Sequence, residues 1–323
     1  MNRGRLLRLA LQTLVIGLIF AYLARALFAN WQELARYHFT IRRGTFALAT
    51  ALLAAGYLYW FVLWHLLTVR MRVALPAGRA FAAYFYSMLW KYVPGKVWML
   101  AARFYFYRKE GRDPAVVSVA VVLEGFYHVA GQAALVLILS PFSAAALPGA
   151  VRALAPVVLA VGLVLLHPRL LERILNAGLR LARRPPVRVP LSYGDLLLFL
   201  FLYLTEYALL GLAFYFLADS LLPLPVARIP DLALASAAGG VVSMLAIFTP
   251  SGLGVREGVF FLAVRPILPE AYAAILSLLT RVWTTLMEVV LIGGTFLAAL
   301  AMGPRDIIPP RSAIKSSSPE SGT

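Results

Sequence analysis

A proline, three glycines and two charged residues interrupt an apolar run that begins near Leu232 and ends near Val264. The interruption, residues 249–258, reads T-P-S-G-L-G-V-R-E-G. Proline removes a helical N–H donor and glycine permits backbone angles that no helix uses, so the run is predicted to form two short helices with a bend between them. Broken backbone at membrane depth survives only where protein or a polar cavity surrounds it. This stretch is therefore predicted to form part of a functional site.

The composition of the whole chain is that of a membrane protein. Hydrophobic residues make up 62% of the 323 residues and charged residues 14%, with a mean hydropathy of +0.82. Apolar runs near the roughly 20 residues that a spanning helix needs recur along the sequence. We predict an all-α integral membrane domain over residues 1–302. A disordered cytoplasmic tail rich in Ser and Pro is predicted over residues 303–323.

Several kinds of chemistry find no support in the residue types. The chain has no cysteine, and its four histidines lie in separate segments without metal-ligand spacing, so we expect no metal and no cofactor. The net charge is +16, but no basic domain with interleaved aromatics predicts nucleic-acid binding. No catalytic dyad or nucleotide loop is visible. We therefore assign no catalytic residue and expect a transporter rather than an enzyme.

Two apolar runs are broken, and the others are predicted to cross the bilayer. The shortest of these, 153–166, could start earlier if Pro148 lies in its first turn. The first broken run, residues 80–107, is interrupted by K-Y-V-P-G-K at 91–96, which leaves about half a bilayer thickness on each side. Residues 169–188 read as a basic amphipathic helix on the membrane surface. Six spans are predicted: 9–29, 46–69, 115–140, 153–166, 196–217 and 271–302.

The distribution of Lys and Arg decides between two membrane topologies for the broken runs. Cytoplasmic loops are enriched in Lys and Arg, and most of the 30 basic residues fall on one side only if both broken runs are re-entrant hairpins. Both termini are then cytoplasmic, and the two hairpins enter from opposite sides. The units 46–140 and 196–302 would have opposite topology, an inverted repeat of the kind that recurs in transporters.

Placing an ionisable residue inside a membrane segment costs free energy, so such residues are interpreted as functional by default. Glu124, His128 and Gln132 share one helix face, and Arg281 and Glu288 share another. The alternative is that such charges only pair with one another to hold helices together. The ionisable residues in question are Arg103, Glu124, Glu206, Glu257, Arg281 and Glu288.

The tips of the two hairpins suit an anion. A helix that begins after Gly95 or Gly254 directs its unpaired amides toward the tip, where Lys96 and Arg256 also lie, and phosphate binds well at such places. Glu257 has the alternative role of stabilising the terminus of its own helix. The predicted substrate-binding residues are Lys96, Arg103, Glu124, Gly252, Gly254, Arg256, Glu257 and Arg281.

These motifs, in this order, resemble a known family over nearly the whole chain: the flippase-like transmembrane region of bacterial lysylphosphatidylglycerol synthases and their stand-alone relatives. The resemblance implies movement of lipids between leaflets. Full-length synthases add a soluble aminoacyl-transferase domain, and this chain looks like a stand-alone relative without one. The resemblance is carried by Pro-Gly-Lys at 94–96, Arg103, Glu124, Pro250-x-Gly-x-Gly254, Glu257, and Arg281 followed by Trp283.

Residues and resemblance together predict a flippase that moves a lipid with an anionic, phosphate-bearing headgroup across the cytoplasmic (inner) membrane of a prokaryote. The expected partner is the membrane lipid, and a homo-oligomer is compatible with the sequence. Two alternatives stay open. One is a membrane transferase that uses Glu257 or Glu124 as a base, and the other is a scaffold that recruits partners through the basic helix at 169–188.

Overall fold

The computed structural model describes residues 41–92, 97–145, 147, 149–181, 183, 186–246 and 252–302. Within these ranges the chain forms ten α-helices and no strand, which confirms the predicted fold class. The predicted span 9–29 and tail 303–323 lie outside the described residues. The helices are α1 (Arg43–Arg70), α2 (Ala77–Met88), α3 (Val97–Lys109), α4 (Pro114–Leu139), α5 (Gly149–Leu165), α6 (Pro168–Leu181), α7 (Tyr193–Leu221), α8 (Ile229–Leu245), α9 (Val255–Val264) and α10 (Glu270–Met302).

Both predicted breaks are present. Helices α2 and α3, of 12 and 13 residues, are the arms of the first broken run. Helices α8 and α9, of 17 and 10 residues, are the arms of the second. At a rise of about 1.5 Å per residue these arms are about 15 to 26 Å long, and each is shorter than a hydrocarbon core of about 30 Å.

Contacts at the ends of each broken run show that the run turns back. An ion pair between Arg79 Nη1 and Glu110 Oε2, 2.5 Å apart, joins the start of α2 to the residue after α3. In the second run, the Tyr272 hydroxyl of α10 donates to the Ala218 carbonyl of α7 at 2.7 Å, next to the point from which α8 departs. Both runs therefore turn back on themselves, which is the geometry that the predicted re-entrant hairpins require.

The two units are inverted relative to each other. Helices α1 and α7 pack along their length and run antiparallel: the Arg42 N–H before α1 donates to the Ser220 carbonyl at 2.9 Å, and Arg70 at the other end of α1 pairs with Asp195. The hairpins pack reciprocally, because α2 lies against α10 and α8 lies against α4. Each unit thus places the first arm of its hairpin against the last helix of the other.

Local sequence explains where the main helices begin. Asp113 accepts the Ala115 N–H at 2.8 Å, with Pro114 at the first helical position, and so caps α4. Ser192 and Asp195 form a reciprocal capping box at the start of α7. These caps satisfy backbone donors that would otherwise be unpaired close to the membrane.

Helix α5 begins at Gly149, earlier than residue 153, which agrees with the earlier start that the sequence left open. Helix α6 is amphipathic as predicted, with Leu171 buried, and it ends at Leu181, shortly before the Arg-Pro-Pro at 184–186 that is predicted to end it. The Asn176 side chain on α6 accepts the Val187 N–H at 2.7 Å and donates to the Val187 carbonyl at 3.0 Å. The chain after α6 therefore lies along this helix instead of extending it.

Five helical stretches are long and apolar enough to cross a membrane by length and composition, which makes the chain a multi-pass membrane protein. One of them is α8 with the turn that precedes it, although contacts assign α8 to a hairpin arm. Helix α5, with 17 residues, is shorter than all five, of which the shortest has 20 residues. The five stretches are Arg43–Arg70, Pro114–Phe142, Tyr193–Leu221, Val226–Leu245 and Glu270–Leu297.

We predict that residues 72 and 112 face the same side of the membrane and residue 265 the other. The parent has no cysteine, so Arg72→Cys, Arg112→Cys and Arg265→Cys each carry one thiol. A membrane-impermeant maleimide applied to oriented vesicles should label the first two from one side only. Arg265→Cys should label only after the vesicles are opened or inverted. Labelling of residues 72 and 112 from opposite sides would contradict the re-entrant first hairpin.

Candidate functional site

Both hairpins reach one partly open cavity of about 130 Å³. Helices α1, α4, α7, α8, α9 and α10 contribute to its wall, together with the 3₁₀ turn Leu89–Tyr92 that ends the first arm of the first hairpin. The lining residues are Trp60, Lys91, Gln132, Tyr207, Leu210, Phe214, Ser236, Gly240, Ser243, Met244, Arg256, Arg281 and Glu288. The two broken runs therefore meet where the inverted repeat predicts a binding site.

Most of the charged residues that line this cavity are basic. Lys91, Arg256 and Arg281 contribute three cationic groups, and Glu288 contributes a carboxylate. The Arg256 guanidinium lies 5.4 Å from the centre of the Phe214 ring, a cation–π contact on the cavity wall. An excess of positive charge in a partly apolar cavity suits an anionic group of a few atoms.

Two charges of α10 connect the hairpins to the same helix. Glu288 pairs with Lys91 of the first hairpin, and the Tyr57 hydroxyl donates to the same carboxylate at 2.5 Å. Arg281 Nε lies 3.7 Å from Glu257 Oε1 of the second hairpin. The prediction that Arg281 and Glu288 share a helix face is confirmed, because both line the cavity.

The turn before α9 depends on two glycines. Gly252 and Gly254 have φ angles of 67° and 82°, in the left-handed region that side chains disfavour. Glu257 Oε2 accepts the Gly254 N–H at 2.7 Å and so caps α9, while its other oxygen faces Arg281. Glu257 thus combines the capping role with a contact to a cavity residue.

Arg103 and Glu124 form a separate ion pair in the first unit. Their side chains are only 2% and 3% exposed. The guanidinium lies between two rings, 4.5 Å from the centre of Trp64 and 4.3 Å from that of Tyr84, and its Nε donates to Ser87 Oγ at 3.2 Å. A buried charge pair needs such additional contacts to offset its desolvation.

A chain of polar contacts leads from this pair to the cavity. His128 Nε2 lies 3.9 Å from Glu124 Oε1, and His128 Nδ1 is 2.8 Å from the hydroxyl of Tyr207, which lines the cavity. Gln132, one turn further along α4, also lines it. The polar face predicted from the spacing of Glu124, His128 and Gln132 is therefore present.

The structure groups most of the predicted site residues around the second hairpin. Arg256 and Arg281 line the cavity, Glu257 contacts Arg281, and the two glycines shape the turn. Lys96 lies outside the described residues. Contact of Arg103 or Glu124 with a substrate stays a prediction, since neither is part of the cavity lining described above.

The sequence-based site omitted two of the four charged residues that line the cavity. Lys91 is the first residue of the K-Y-V-P-G-K break, and Glu288 lies seven positions after Arg281. Both signals were visible in the sequence, but the pairing of Lys91 with Glu288 required the first hairpin to be placed against α10. Among the described residues, no group of three or more His, Asp and Glu could hold a metal ion.

Comparison with models of known protein families identifies the family of this chain. The family model described as Lysylphosphatidylglycerol synthase TM region matches residues 9–293. No curated protein matches the chain, and no solved structure does.

We predict that Arg103→Ala lowers the free energy of unfolding by about 3–5 kcal/mol, because it leaves the Glu124 carboxylate buried without its cation. Unfolding in detergent, followed by circular dichroism, measures the loss. Arg79→Ala is the matched control: its ion pair with Glu110 is half-exposed, and about 0–1 kcal/mol is expected. Replacing both partners with Arg103→Met and Glu124→Leu should recover most of the stability. Equal small losses in the two single variants would contradict the prediction.

Proposed function

Because the chain belongs to the lysylphosphatidylglycerol synthase transmembrane-region family, we propose that it binds a membrane lipid with a phosphate-bearing headgroup and moves it between leaflets. The family is connected with lipid modification or flipping. The observation that carries the proposal is the convergence of Lys91, Arg256 and Arg281 on one cavity between the two hairpins. The membrane is proposed to be the cytoplasmic membrane of a prokaryote.

The charges of the cavity favour an anionic occupant. Two carboxylates, Glu288 and Glu257, contact two of the three cations, so the group carries a positive excess. Burying uncompensated charge in a membrane protein is costly. A phosphate would supply the missing negative charge, and arginine would bind two of its oxygens through its planar guanidinium.

The same pairs suggest how occupancy could change the conformation. Phosphate in the cavity competes with Glu288 for Lys91 and with Glu257 for Arg281. Since Lys91 lies on the first hairpin and Glu257 on the second, each competition weakens a contact between a hairpin and α10. Hairpins that enter from opposite sides can then open the cavity toward opposite leaflets, which is the logic of alternating access.

Charge bias orients the protein in this proposal. Arg70, Arg79 and Glu110 mark the face on which the first hairpin begins and ends, and the basic segments 70–79 and 108–112 lie there. Under the positive-inside rule this face is cytoplasmic, as are both termini. The cavity then lies between the leaflets, with its first hairpin entered from inside and its second from outside.

Two alternatives make different demands on these residues. A membrane transferase would use Glu257 or Glu124 as a base, whereas the structure engages these carboxylates with Arg281 and Arg103. A scaffold acting through α6 would not need the cavity at all. On helix α6, Arg169, Arg173 and Arg180 line a surface groove. None of these three residues lines the cavity.

We predict that Arg281→Ala weakens binding of fluorescent phosphatidylglycerol by about 10- to 100-fold, because a charge-assisted hydrogen bond to phosphate is worth about 1.5–3 kcal/mol. Arg256→Ala should have a similar effect. Arg281→Lys should retain part of the affinity, since lysine keeps the charge but lacks the planar fork. Binding is measured in nanodiscs of phosphatidylcholine, and transport in vesicles by the accessibility of the fluorophore to an external quencher.

The control is Arg265→Ala, which removes a cation that pairs with Glu270 instead of lining the cavity. It should bind and transport the labelled lipid like the parent. Normal binding and transport by Arg281→Ala and Arg256→Ala together would overturn the headgroup site and favour the scaffold.

We further predict that Glu257→Gln folds like the parent but transports the labelled lipid slowly. Glutamine keeps an oxygen that can cap the Gly254 N–H, so thermal stability should change by no more than about 0.3–1 kcal/mol. It cannot neutralise Arg281 when the phosphate leaves, so release of the lipid should slow. Parent-like transport with unchanged stability would limit Glu257 to capping α9.

A further inference from the structure

Glu206 is a carboxylic acid in the middle of the membrane that the cavity does not use. It lies near the centre of the 29-residue α7, and its side chain is fully buried. Neither of its carboxyl oxygens has a hydrogen-bond partner among the described residues. The other intramembrane acids described above each contact a cation, which sets Glu206 apart from Glu124, Glu257 and Glu288.

The surroundings of Glu206 contain no described cation that compensates it. On α1, a Cβ added to Gly56 would lie 3.6 Å from Glu206 Oε1, so this helix packs close to the carboxyl. The Trp60 indole, also on α1, approaches the carboxyl as an N–H donor but brings no positive charge. The phenols of Tyr84 on α2 and Tyr207 on α7 are the titratable groups that interact with it electrostatically.

The charged groups of the remaining packed helices are engaged elsewhere. On α4, Glu124 is paired with Arg103, and His128 contacts Tyr207. On α10, Arg281 and Glu288 contact the two hairpins. The described part of α8 carries one ionisable residue, Asp231, at its start, where Arg228 and Ser143 bind it.

Glu206 lies directly behind the wall of the cavity. Trp60, its neighbour on α1, and Tyr207, the next residue along the chain, both line the cavity, and their rings are 6.2 Å apart. A bare carboxylate in this position would repel an anionic headgroup across a thin, poorly polarisable wall. A protonated carboxyl would not.

We propose that Glu206 is a proton-binding site linked to occupancy of the cavity by an anionic headgroup. The inference rests on the proposed function and adds to it a coupled ion. The proton comes from water that reaches the cavity and returns to water, and the side chain alternates between the carboxylic acid and the carboxylate. Linkage is reciprocal: protonation of Glu206 tightens headgroup binding, and headgroup binding favours protonation to the same extent.

The sign of the pH effect follows from this coupling. At low pH the side chain is neutral and the headgroup binds tightly. As pH rises through the titration of Glu206, the carboxylate forms and affinity falls. Glu206→Gln imitates the neutral acid in size and charge, so its affinity should stay at the low-pH level throughout.

The test measures binding of fluorescent phosphatidylglycerol to the full chain in phosphatidylcholine nanodiscs between about pH 5 and about pH 8. Affinity of the parent should fall roughly 5-fold or more over this range, within the usual span of coupling between two sites. Glu206→Gln should lose this fall. Glu270→Gln is the matched control, because it makes the same substitution at a half-exposed surface position, and it should behave like the parent.

Infrared spectroscopy supplies a readout that does not depend on lipid. The parent at low pH should show the carbonyl stretch of a protonated carboxylic acid that Glu206→Gln lacks, with circular dichroism confirming that the variant is folded. Absence of that band, or a pH dependence that survives in Glu206→Gln, would overturn the inference while the proposed function stands. Failure of the parent to bind the labelled lipid at any pH would instead overturn the proposed function, and this inference with it.

Discussion

The arrangement of the two hairpins depends on the ion pairs that they form with α10. Glu288 holds Lys91 of the first hairpin, and Arg281 faces Glu257 of the second. Seven residues of α-helix separate the two charges by about 10 Å, so one rigid helix sets the distance between both broken runs. Backbone that leaves helical geometry at membrane depth must be enclosed by protein or by a polar cavity, and these contacts help to enclose it.

Each unit has an ion pair between the second arm of its hairpin and the helix that follows, and the two pairs have opposite polarity. In the first unit, Arg103 on the second arm of the hairpin pairs with Glu124 on the following helix. In the second unit, the carboxylate is on the hairpin, at Glu257, and the arginine on the following helix, at Arg281. The first pair is closed by Trp64 and other aromatic contacts, whereas the second opens onto the cavity. The repeat thus combines a half whose ion pair is buried among aromatic rings with a half in which Arg281 lines the cavity.

This asymmetry connects stability with the proposed transport. The cations that a phosphate would bind are the same groups that hold the hairpins against α10, so binding and conformational change would draw on one set of interactions. Glu206 extends this logic, because it adds a charge that is present or absent according to protonation, immediately behind the cavity wall. A bundle with few buried charges can be controlled by each of them, since the low dielectric environment leaves their interactions weakly screened.

Sequence by itself determined the membrane class, the two breaks, the inverted order of spans and the residues of the second hairpin. These follow from hydropathy, from proline and glycine chemistry and from the bias of Lys and Arg, which act locally or along the chain. Tertiary structure alone decided which charges meet. It paired Lys91 with Glu288 across 197 positions, assigned Arg103 to Glu124 rather than to the cavity, and left Glu206 without a described partner. Sequence spacing identifies the face of a helix on which a charge lies, but the partner of that charge depends on how separate helices pack against each other.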